Sequence, residues 1–325
     1  MFSLQQFFRT DIQILRDLGY CVRLSNTFLD FLKFWNYDIA FIYFYKYGLL
    51  PAIISRLNFK KVIFTGGIDS LDKEYETKSL YLRQKLFFNW CAFFANRVIL
   101  VSNADKKNIH TFKKHLPLTK YPLCFHVIEF VKFRKDSISG REKIVLTIAW
   151  MLGEDNVIRK GVDKSLYFFK QLHQLDPEFR MIIVGPQGQG SKLVRDIILA
   201  EKLEEFVTLT GAIHEDFKIE LLKKSMVYTQ FSIYEGFGIA AIEALAAGNL
   251  VVHTGKGGLK DGINDHGILT TTDQFEIPAA EVLAILSDKE RWKGLVKSGV
   301  NHVSENFDYI KRLDNFKNIF NSMFK

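Results

Sequence analysis

Short apolar runs rich in β-branched and aromatic residues recur along this chain, and amphipathic segments separate them. In the first half the runs are YCVRLS (20–25), DIAFIYF (38–44), KKVIFTGG (60–67), NRVILVS (96–102) and LCFHVIEF (123–130). The alternation predicts parallel βα units, because one parallel strand needs a crossover helix to reach the next. We therefore expect a doubly wound α/β domain in this half.

A polar stretch, KFRKDSISGREK (132–143), interrupts this pattern before a second series of runs begins. The second series comprises KIVLTIAWM (143–151), RMIIVG (180–185), FVTLTG (206–211), MVYTQFS (226–232), NLVVHT (249–254) and GILTT (267–271). A chain of 325 residues also exceeds one ordinary hydrophobic core. The sequence predicts two Rossmann-like domains, 1–140 and 141–305, that face each other across a cleft holding the active site.

Composition and cysteine usage narrow the class of protein. Hydrophobic residues make up 48% and charged residues 25%, which is typical of a soluble globular protein. Cys21, Cys91 and Cys124 are widely spaced in apolar surroundings, and we predict buried thiols in a reducing compartment. The sequence shows neither a signal peptide nor an apolar run of the ~20 residues that span a bilayer, so a cytoplasmic location is expected.

A formal charge of +8 favours anionic partners: nucleic acid, acidic lipid headgroups or a phosphate-bearing substrate. Nucleic acid is disfavoured because the positive residues are scattered and no reader motif occurs. The stretch KSLYLRQKLFFNWCAFFANR (78–97) mixes basic and aromatic residues. Either it contacts the inner membrane face peripherally by its aromatic side, or it is a helix packed on the sheet with a basic outer stripe.

Two carboxylates stand in the most distinctive stretch, FSIYEGFGIAAIEALAAGNLVV (231–252). Gly236 and Gly238 allow a tight turn after a strand, and the following helix leaves its first N–H groups free for an anion such as a diphosphate. Glu243 lies on a helix that is apolar on every face, where burying an unpaired charge is costly. Because Glu235 precedes the same helix, one pocket with two hydroxyl acceptors and an anion site is expected, which fits a nucleotide sugar.

This pattern resembles the signature of the retaining GT-B glycosyltransferases of family four. RKGVDKSLYFFKQL (159–172) is similar to the family's Lys-Gly segment, and MIIVGPQGQGSKL (181–193) to its next strand and loop. The resemblance implies that Glu235 binds the transferred sugar, Glu243 the nucleotide ribose and Lys160 the diphosphate. It also implies donor-binding roles for the turn residues Gly236, Phe237, Gly238 and Ile239, and a weaker one for Arg159.

The resemblance carries further expectations and two departures. Family members usually have an arginine where this chain has Trp150 and Met151, and we expect their first strand and Gly-rich loop to be missing here. The apolar positions Phe307, Ile310, Leu313, Phe316, Phe320 and Met323 predict an amphipathic helix over 306–325. In the resembling fold that last helix packs back on the N-terminal domain.

On the acceptor side, Gly66, Gly67 and Asp69 resemble a Gly-Gly-x-Asp turn of some family members, and Ser102 ends a strand. Asp69 could equally cap its own turn. The expected activity is a metal-independent hexosyl transfer from a nucleotide sugar to a glycan, a lipid-linked acceptor or another acceptor, with no cofactor and retention at the anomeric carbon. A non-catalytic subunit that binds nucleotide sugars or glycans on a degenerate GT-B fold is the alternative.

Overall fold

The computed structural model describes residues 6–73, 76–270 and 273–324, apart from the side chains of Asp69 and Ser70. The chain forms two units, one of residues 1–127 with 309–325 and the other of residues 128–308. The boundary thus lies at 127/128 and not at 140/141. Residues 128–141 fold with the second unit because the buried Arg141 donates to the carbonyl oxygens of Ser225 (3.0 Å) and Ala247 (2.7 Å).

The first unit contains a three-stranded parallel sheet of order β1-β2-β3. Its elements are α1 (Gln6–Asp17), β1 (Ile39–Tyr43), α2 (Leu49–Leu57), β2 (Lys61–Thr65), α3 (Lys78–Phe94), β3 (Arg97–Ile99) and α4 (Asn103–His110). Helices connect the strands as parallel pairing requires. A core of apolar side chains from β1, β2, β3 and α3 fills the space between sheet and helices.

Two predicted strands of this unit are wrong. Residues 20–25 pair with no strand, and Cys21 is exposed, so only Cys91 and Cys124 are the buried thiols expected. In the 123–130 run, Leu123 alone forms a bridge, to Leu100. The carbonyl of Cys124 instead accepts a hydrogen bond from Arg312 (2.8 Å), which removes it from strand pairing. Among residues 6–38 no strand precedes β1.

The second unit is a six-stranded parallel sheet with helices between its strands. Its elements are α5 (Phe130–Phe133), β4 (Glu142–Ile148), α6 (Glu154–Lys160), α7 (Val162–Leu175), β5 (Arg180–Val184), α8 (Gly190–Ala200), β6 (Val207–Gly211), α9 (Glu215–Lys224), β7 (Ser225–Gln230), α10 (Ile239–Ala246), β8 (Leu250–His253), α11 (Leu259–Ile263), β9 (Ile268–Leu269), α12 (Glu276–Ser287) and α13 (Lys289–Asn306). All six predicted strands of this half are present.

The strand order is β6-β5-β4-β7-β8-β9, with every neighbouring pair parallel. The chain adds strands outward on one side of β4, then returns and adds them on the other side, starting with β7. This is the Rossmann order, and its direction reverses between β4 and β7. Residues that follow these two strands therefore flank the crevice where Rossmann-like sheets bind ligands.

The last helix, α14 (Tyr309–Asn321), belongs to the first unit. Phe316, Ile319 and Phe320 pack with side chains of α1, β2 and β3. Ile310, which the sequence places on the apolar stripe, is exposed. The buried position is Arg312, whose Nε and Nη2 donate to the Oδ1 (2.6 Å) and Oδ2 (2.8 Å) of Asp11. Both residues are almost completely buried, so the helix is fixed by a bidentate ion pair inside an apolar cluster.

No helix of the described residues combines the length and the apolar character that crossing a bilayer requires.

Replacing Arg312 with Met should destabilise the first unit by about 3–5 kcal/mol, because the Asp11 carboxylate stays buried without its cation. The double variant Asp11→Leu/Arg312→Met should recover much of the loss, since no unpaired charge remains. Thermal unfolding followed by calorimetry measures both. Lys317→Ala on the exposed face of the same helix is the matched control, and equal melting temperatures for the Met and Ala variants would contradict the buried pair's importance.

Candidate functional site

The site is built where the strand order reverses, from the segments that follow β4 and β7. Lys160 ends α6, and Gly161 has φ +65°, a left-handed conformation that favours glycine. A Cβ at Gly161 would lie 2.1 Å from the carbonyl oxygen of Phe231, so only glycine permits this approach. The Ile233 amide also donates to the Arg159 carbonyl (2.9 Å), which joins the two segments.

Glu235 is buried in this junction and accepts several hydrogen bonds on one oxygen. Its Oε1 forms an ion pair with Lys160 and accepts from Ser232 Oγ (2.9 Å) and Gln230 Nε2 (3.1 Å). Gln230 is in turn held by the Tyr228 hydroxyl (2.9 Å). The other oxygen, Oε2, has no hydrogen-bond partner among the described residues. The carboxylate is thus fixed by one edge while the other edge can accept a hydroxyl.

The turn after Glu235 leads into α10 with an open N-terminus. Gly238 has φ +85° and caps the helix, while the amides of Ile239 and Ala240 have no acceptor within the described parts of the chain. Unpaired amides and the helix dipole together attract an anion. The Phe237 ring is buried against Phe307 (centroids 5.2 Å apart), so this residue offers the site its backbone and not its ring.

A glycine-rich loop that the sequence reading missed, residues 255–258, supports the turn. The Gly258 amide donates to the Glu235 carbonyl (2.7 Å). A Cβ would lie 2.1 Å from that same oxygen if placed on Gly257, and 2.3 Å from the Gly236 oxygen if placed on Gly258. The sequence GKGG could have predicted this loop, because it follows a strand and therefore lies at the same sheet edge as Glu235.

Glu243 has a partner that the sequence did not reveal. It is 4% exposed, and Lys218 on α9 donates to its Oε2 at 2.9 Å. Burial raises the pKa of the Glu243 carboxyl above its ordinary value, and the Lys218 ammonium opposes that shift. Lys218 also lies 5.1 Å from the centre of the Phe133 ring. Since α9 and α10 are distant in sequence, only the fold brings this pair together.

Tyr228 lies near both carboxylates. Burial raises the pKa of its hydroxyl, and the charges of Glu235 and Glu243 add to that effect. The two glutamates therefore act on one buried side chain, although their own cations differ. One is held by Lys160 from the β4 side, and the other by Lys218 from α9.

The loop after β4 has no basic residue in place of the family's arginine. Met151 is fully buried, and its amide donates to the Pro186 carbonyl (2.9 Å). Glycine at position 185 permits the close approach of these two segments, since a Cβ there would lie 1.8 Å from the Ala149 oxygen. The Arg159 side chain is half-buried and has no hydrogen-bond partner among the described residues.

The acceptor-side candidates all lie in the first unit. Gly66 and Gly67 have φ +75° and +79°, and they turn the chain beside Phe44. The Asp69 side chain lies outside the described residues. Ser102 is completely buried and caps α4 by accepting from the Asp105 amide (3.1 Å). Helix capping alone accounts for the position of Ser102. Because its side chain is buried, the hydroxyl is not accessible to a glycosyl acceptor in this conformation.

Among the described residues, no group of three or more His, Cys, Asp or Glu side chains is arranged to hold a metal ion.

Comparison with known proteins identifies the family to which this chain belongs. The sequence description of the family "Glycosyl transferases group 1" matches residues 132–302, more than half of the 325-residue chain. This chain belongs to the glycosyl transferases of group 1. The match covers the whole of the site described above, from Lys160 to Gly258.

Relatives of this group 1 glycosyltransferase are distant in sequence. An uncharacterized glycosyltransferase of Methanocaldococcus jannaschii is 24% identical over 317 residues, covering 89% of this chain and 78% of its own. The trehalose synthase of Thermococcus litoralis is 27% identical over 175 residues, covering 50% of this chain and 41% of its own. At such identities the geometry of the site says more about its chemistry than overall similarity does.

Solved structures establish the fold. Anabaena HepE in complex with UDP and glucose superposes with a TM-score of 0.76 and 18% identity, over 91% of this chain and 81% of HepE. The pneumococcal O-GlcNAc transferase GtfA in complex with UDP and GlcNAc superposes with a TM-score of 0.69 and 17% identity, over 91% of this chain and 60% of GtfA. This group 1 glycosyltransferase has the GT-B fold, with two Rossmann-like units.

Substitution by alanine should affect the melting temperature differently at two glycines of the site. Gly258→Ala should lower the melting temperature, with a cost of about 1–3 kcal/mol, because its Cβ meets the Gly236 carbonyl. Gly236→Ala should leave the melting temperature unchanged, since no atom lies within 4 Å of its Cβ position. If that open space is where a ligand binds, Gly236→Ala should still weaken nucleotide binding in calorimetry. A stable Gly258→Ala protein would show that the packing is looser than described.

Proposed function

We propose that this protein is a retaining glycosyltransferase that moves a hexose-type sugar from a nucleotide diphosphate sugar to a glycan, a lipid-linked acceptor or another acceptor. The observation that carries the proposal is the Glu235 carboxylate, fixed through Oε1 by Lys160, Ser232 and Gln230, beside the open N-terminus of α10. A fixed acceptor for hydroxyls next to an anion site suits a sugar joined to a diphosphate.

Each part of the donor has a counterpart in the second unit. Glu235 Oε2 is proposed to accept from a sugar hydroxyl, and Glu243 from the ribose hydroxyls. Lys160 and the amides of Ile239 and Ala240 are proposed to hold the diphosphate, with Arg159 near the same segment. The UDP bound by HepE and by GtfA supports a nucleotide donor for this chain.

The chemical step would draw on the same groups. As the bond between the sugar and the diphosphate breaks, negative charge grows on the leaving phosphate oxygens. An ammonium and a helix N-terminus that are already in place stabilise that charge without reorganising, which lowers the barrier. On this proposal the reaction needs neither a metal ion nor a cofactor, and we assign no side-chain nucleophile.

The experiment that tests the proposal is a panel of nucleotide sugars, with binding measured by calorimetry and turnover by release of the nucleoside diphosphate. Binding with turnover supports the transferase, and the anomeric configuration of the product by NMR tests retention. Tight binding of a donor without turnover on any glycan or lipid-linked acceptor would favour the alternative, a non-catalytic binding protein. Activity that is lost in chelator and returns with magnesium would contradict metal independence.

Variants at the two ends of the donor should separate its parts. Lys160→Met should weaken the nucleoside diphosphate and leave the nucleoside nearly unaffected, since the ammonium is aimed at phosphate oxygens. Glu243→Gln should weaken both by about 1.5–3 kcal/mol, the usual value for a hydrogen bond to a charged group. Calorimetry measures each affinity. Lys164→Met, which removes a half-buried lysine paired with the exposed Asp273, is the control. Equal losses for both ligands in Lys160→Met would point to misfolding.

Removing Lys218 should make nucleotide binding depend on pH. Burial already raises the pKa of Glu243, and without the opposing ammonium the carboxyl should be protonated at higher pH. Because a protonated carboxyl accepts more weakly, affinity in Lys218→Met should rise as pH increases through that raised pKa. The wild type should show a flat profile over the same range, and Lys218→Arg should restore it. Parallel profiles for wild type and Lys218→Met would remove Lys218 from ribose recognition.

A further inference from the structure

The outer face of α3 is apolar although nothing in the described chain covers it. Tyr81, Phe88, Cys91 and Ala92 form its buried face. On the opposite side lie four large apolar side chains at helical spacing, with exposed fractions of 52–72%: Leu82, Leu86, Trp90 and Phe93. They extend over roughly 16 Å of helix. The helix contains no acidic residue, so this stripe is accompanied only by positive charge.

A second apolar group stands beside the end of this stripe. α2 packs against α3, and Arg56 near the end of α2 donates to Asn96, two residues beyond α3 (3.4 Å). α2 ends in a motif in which the Lys60 amide donates to the Ser55 carbonyl (2.8 Å) and the Phe59 amide to that of Arg56 (3.1 Å). The position occupied by Phe59 is usually glycine, because it requires a left-handed backbone.

Phe59 adopts this conformation with φ +58° and is 94% exposed. A bulky residue is disfavoured at positive φ, and an exposed aromatic ring gains nothing from the fold. Leu57, two residues earlier, is 72% exposed. The chain thus accepts backbone strain at a position where glycine would be more stable and presents an aromatic ring to the outside. Such strain is explained when the ring has a partner outside the chain.

Cations surround this end of the first unit. Lys113, Lys120, Arg56 and Arg97 lie near the start of β3, where the Val98 amide donates to the Lys120 carbonyl (2.8 Å). Burial lowers the pKa of Lys120, and the charges of the other three residues lower it further. We call these four residues the cation cluster. Arg97 donates to the Ser322 carbonyl (2.8 Å) and Lys113 lies over the Tyr121 ring. Among the described residues no carboxylate forms an ion pair with any of the four, so the cluster is suited to an external anion.

The positive charge of the chain is concentrated in the first unit. Residues 1–127 have 18 Lys and Arg against 9 Asp and Glu, and residues 309–325 have 4 against 1. Residues 128–308 have 22 against 26. The first unit therefore has a formal charge of +12, while the second has −4. A negatively charged surface would attract the first unit selectively.

We propose that the outer face of α3, together with Phe59 and the cation cluster, docks the first unit on an anionic lipid bilayer. Exposed Trp, Phe and Leu side chains enter the boundary between headgroups and acyl chains, while lysine and arginine contact the lipid phosphates. The cation cluster and the apolar stripe of α3, a helix without acidic residues, match the lipid phosphates and the apolar layer beneath them. This proposal does not depend on the proposed nucleotide-sugar site, whose residues belong to the second unit.

Co-sedimentation with vesicles tests the proposal on the full chain without nucleotide. The wild type should bind vesicles of phosphatidylcholine mixed with phosphatidylglycerol, and bind far less to phosphatidylcholine alone. Lys113→Gln/Lys120→Gln should reduce the partition coefficient by about tenfold or more. The matched control is Lys192→Gln/Lys297→Gln, which removes two exposed lysines from the second unit and should bind as the wild type does.

Phe59→Gly separates docking from folding. Glycine suits the left-handed position, so the melting temperature should rise or stay constant while vesicle binding falls; Phe59→Trp should retain binding. Unchanged vesicle binding in both Phe59→Gly and the double lysine variant would overturn the proposal. A wild type that ignores vesicles but sediments as a dimer, and becomes monomeric on Phe59→Gly, would overturn it in favour of an interface between copies.

Discussion

The ion pair between Lys160 and Glu235 ties together the two segments on which the site depends. Lys160 follows β4 and Glu235 follows β7, the strands between which the sheet reverses its direction of growth. The pair forms because Gly161 lets the backbone approach Phe231 more closely than any side chain would allow. The placement of this buried carboxylate at the sheet edge therefore depends on Gly161 and Lys160, together with the hydrogen bonds that Ser232 and Gln230 donate to the same oxygen.

Three buried carboxylates, those of Asp11, Glu235 and Glu243, form ion pairs that differ in how many carboxylate oxygens they use. Asp11 is saturated, since Arg312 takes both oxygens and the Tyr43 hydroxyl donates to Oδ2 as well (2.8 Å). Glu235 and Glu243 are each held through one oxygen by lysine. A saturated carboxylate only stabilises the fold. A carboxylate with an unused oxygen retains the capacity to accept a ligand hydroxyl, while its lysine partner offsets part of the cost of burial.

The two units differ in formal charge. The second unit is slightly acidic overall, yet it concentrates Lys160, Lys218 and free amides where an anion is proposed to bind. The first unit is strongly basic and exposes aromatic side chains on α3 and at Phe59. At the proposed donor site the local arrangement matters more than net charge, because a cation at hydrogen-bond distance outweighs distant carboxylates screened by water. Net charge matters instead for attraction to a large charged surface.

The sequence alone determined the βα alternation and all six strands of the second unit, because these depend on local periodicity. Its motifs also predicted Glu235, Glu243 and Lys160 as site residues, and the structure brings Glu235 and Lys160 into contact. It predicted strands at 20–25 and 123–130 that do not form, since pairing requires a neighbour that apolar content cannot guarantee. Only the tertiary structure assigned Lys218 to Glu243, Arg312 to Asp11, and the 255–258 loop to the Glu235 turn. These partners are 25, 301 and about 20 residues apart along the chain, and no local pattern encodes which distant side chain will neutralise a buried charge.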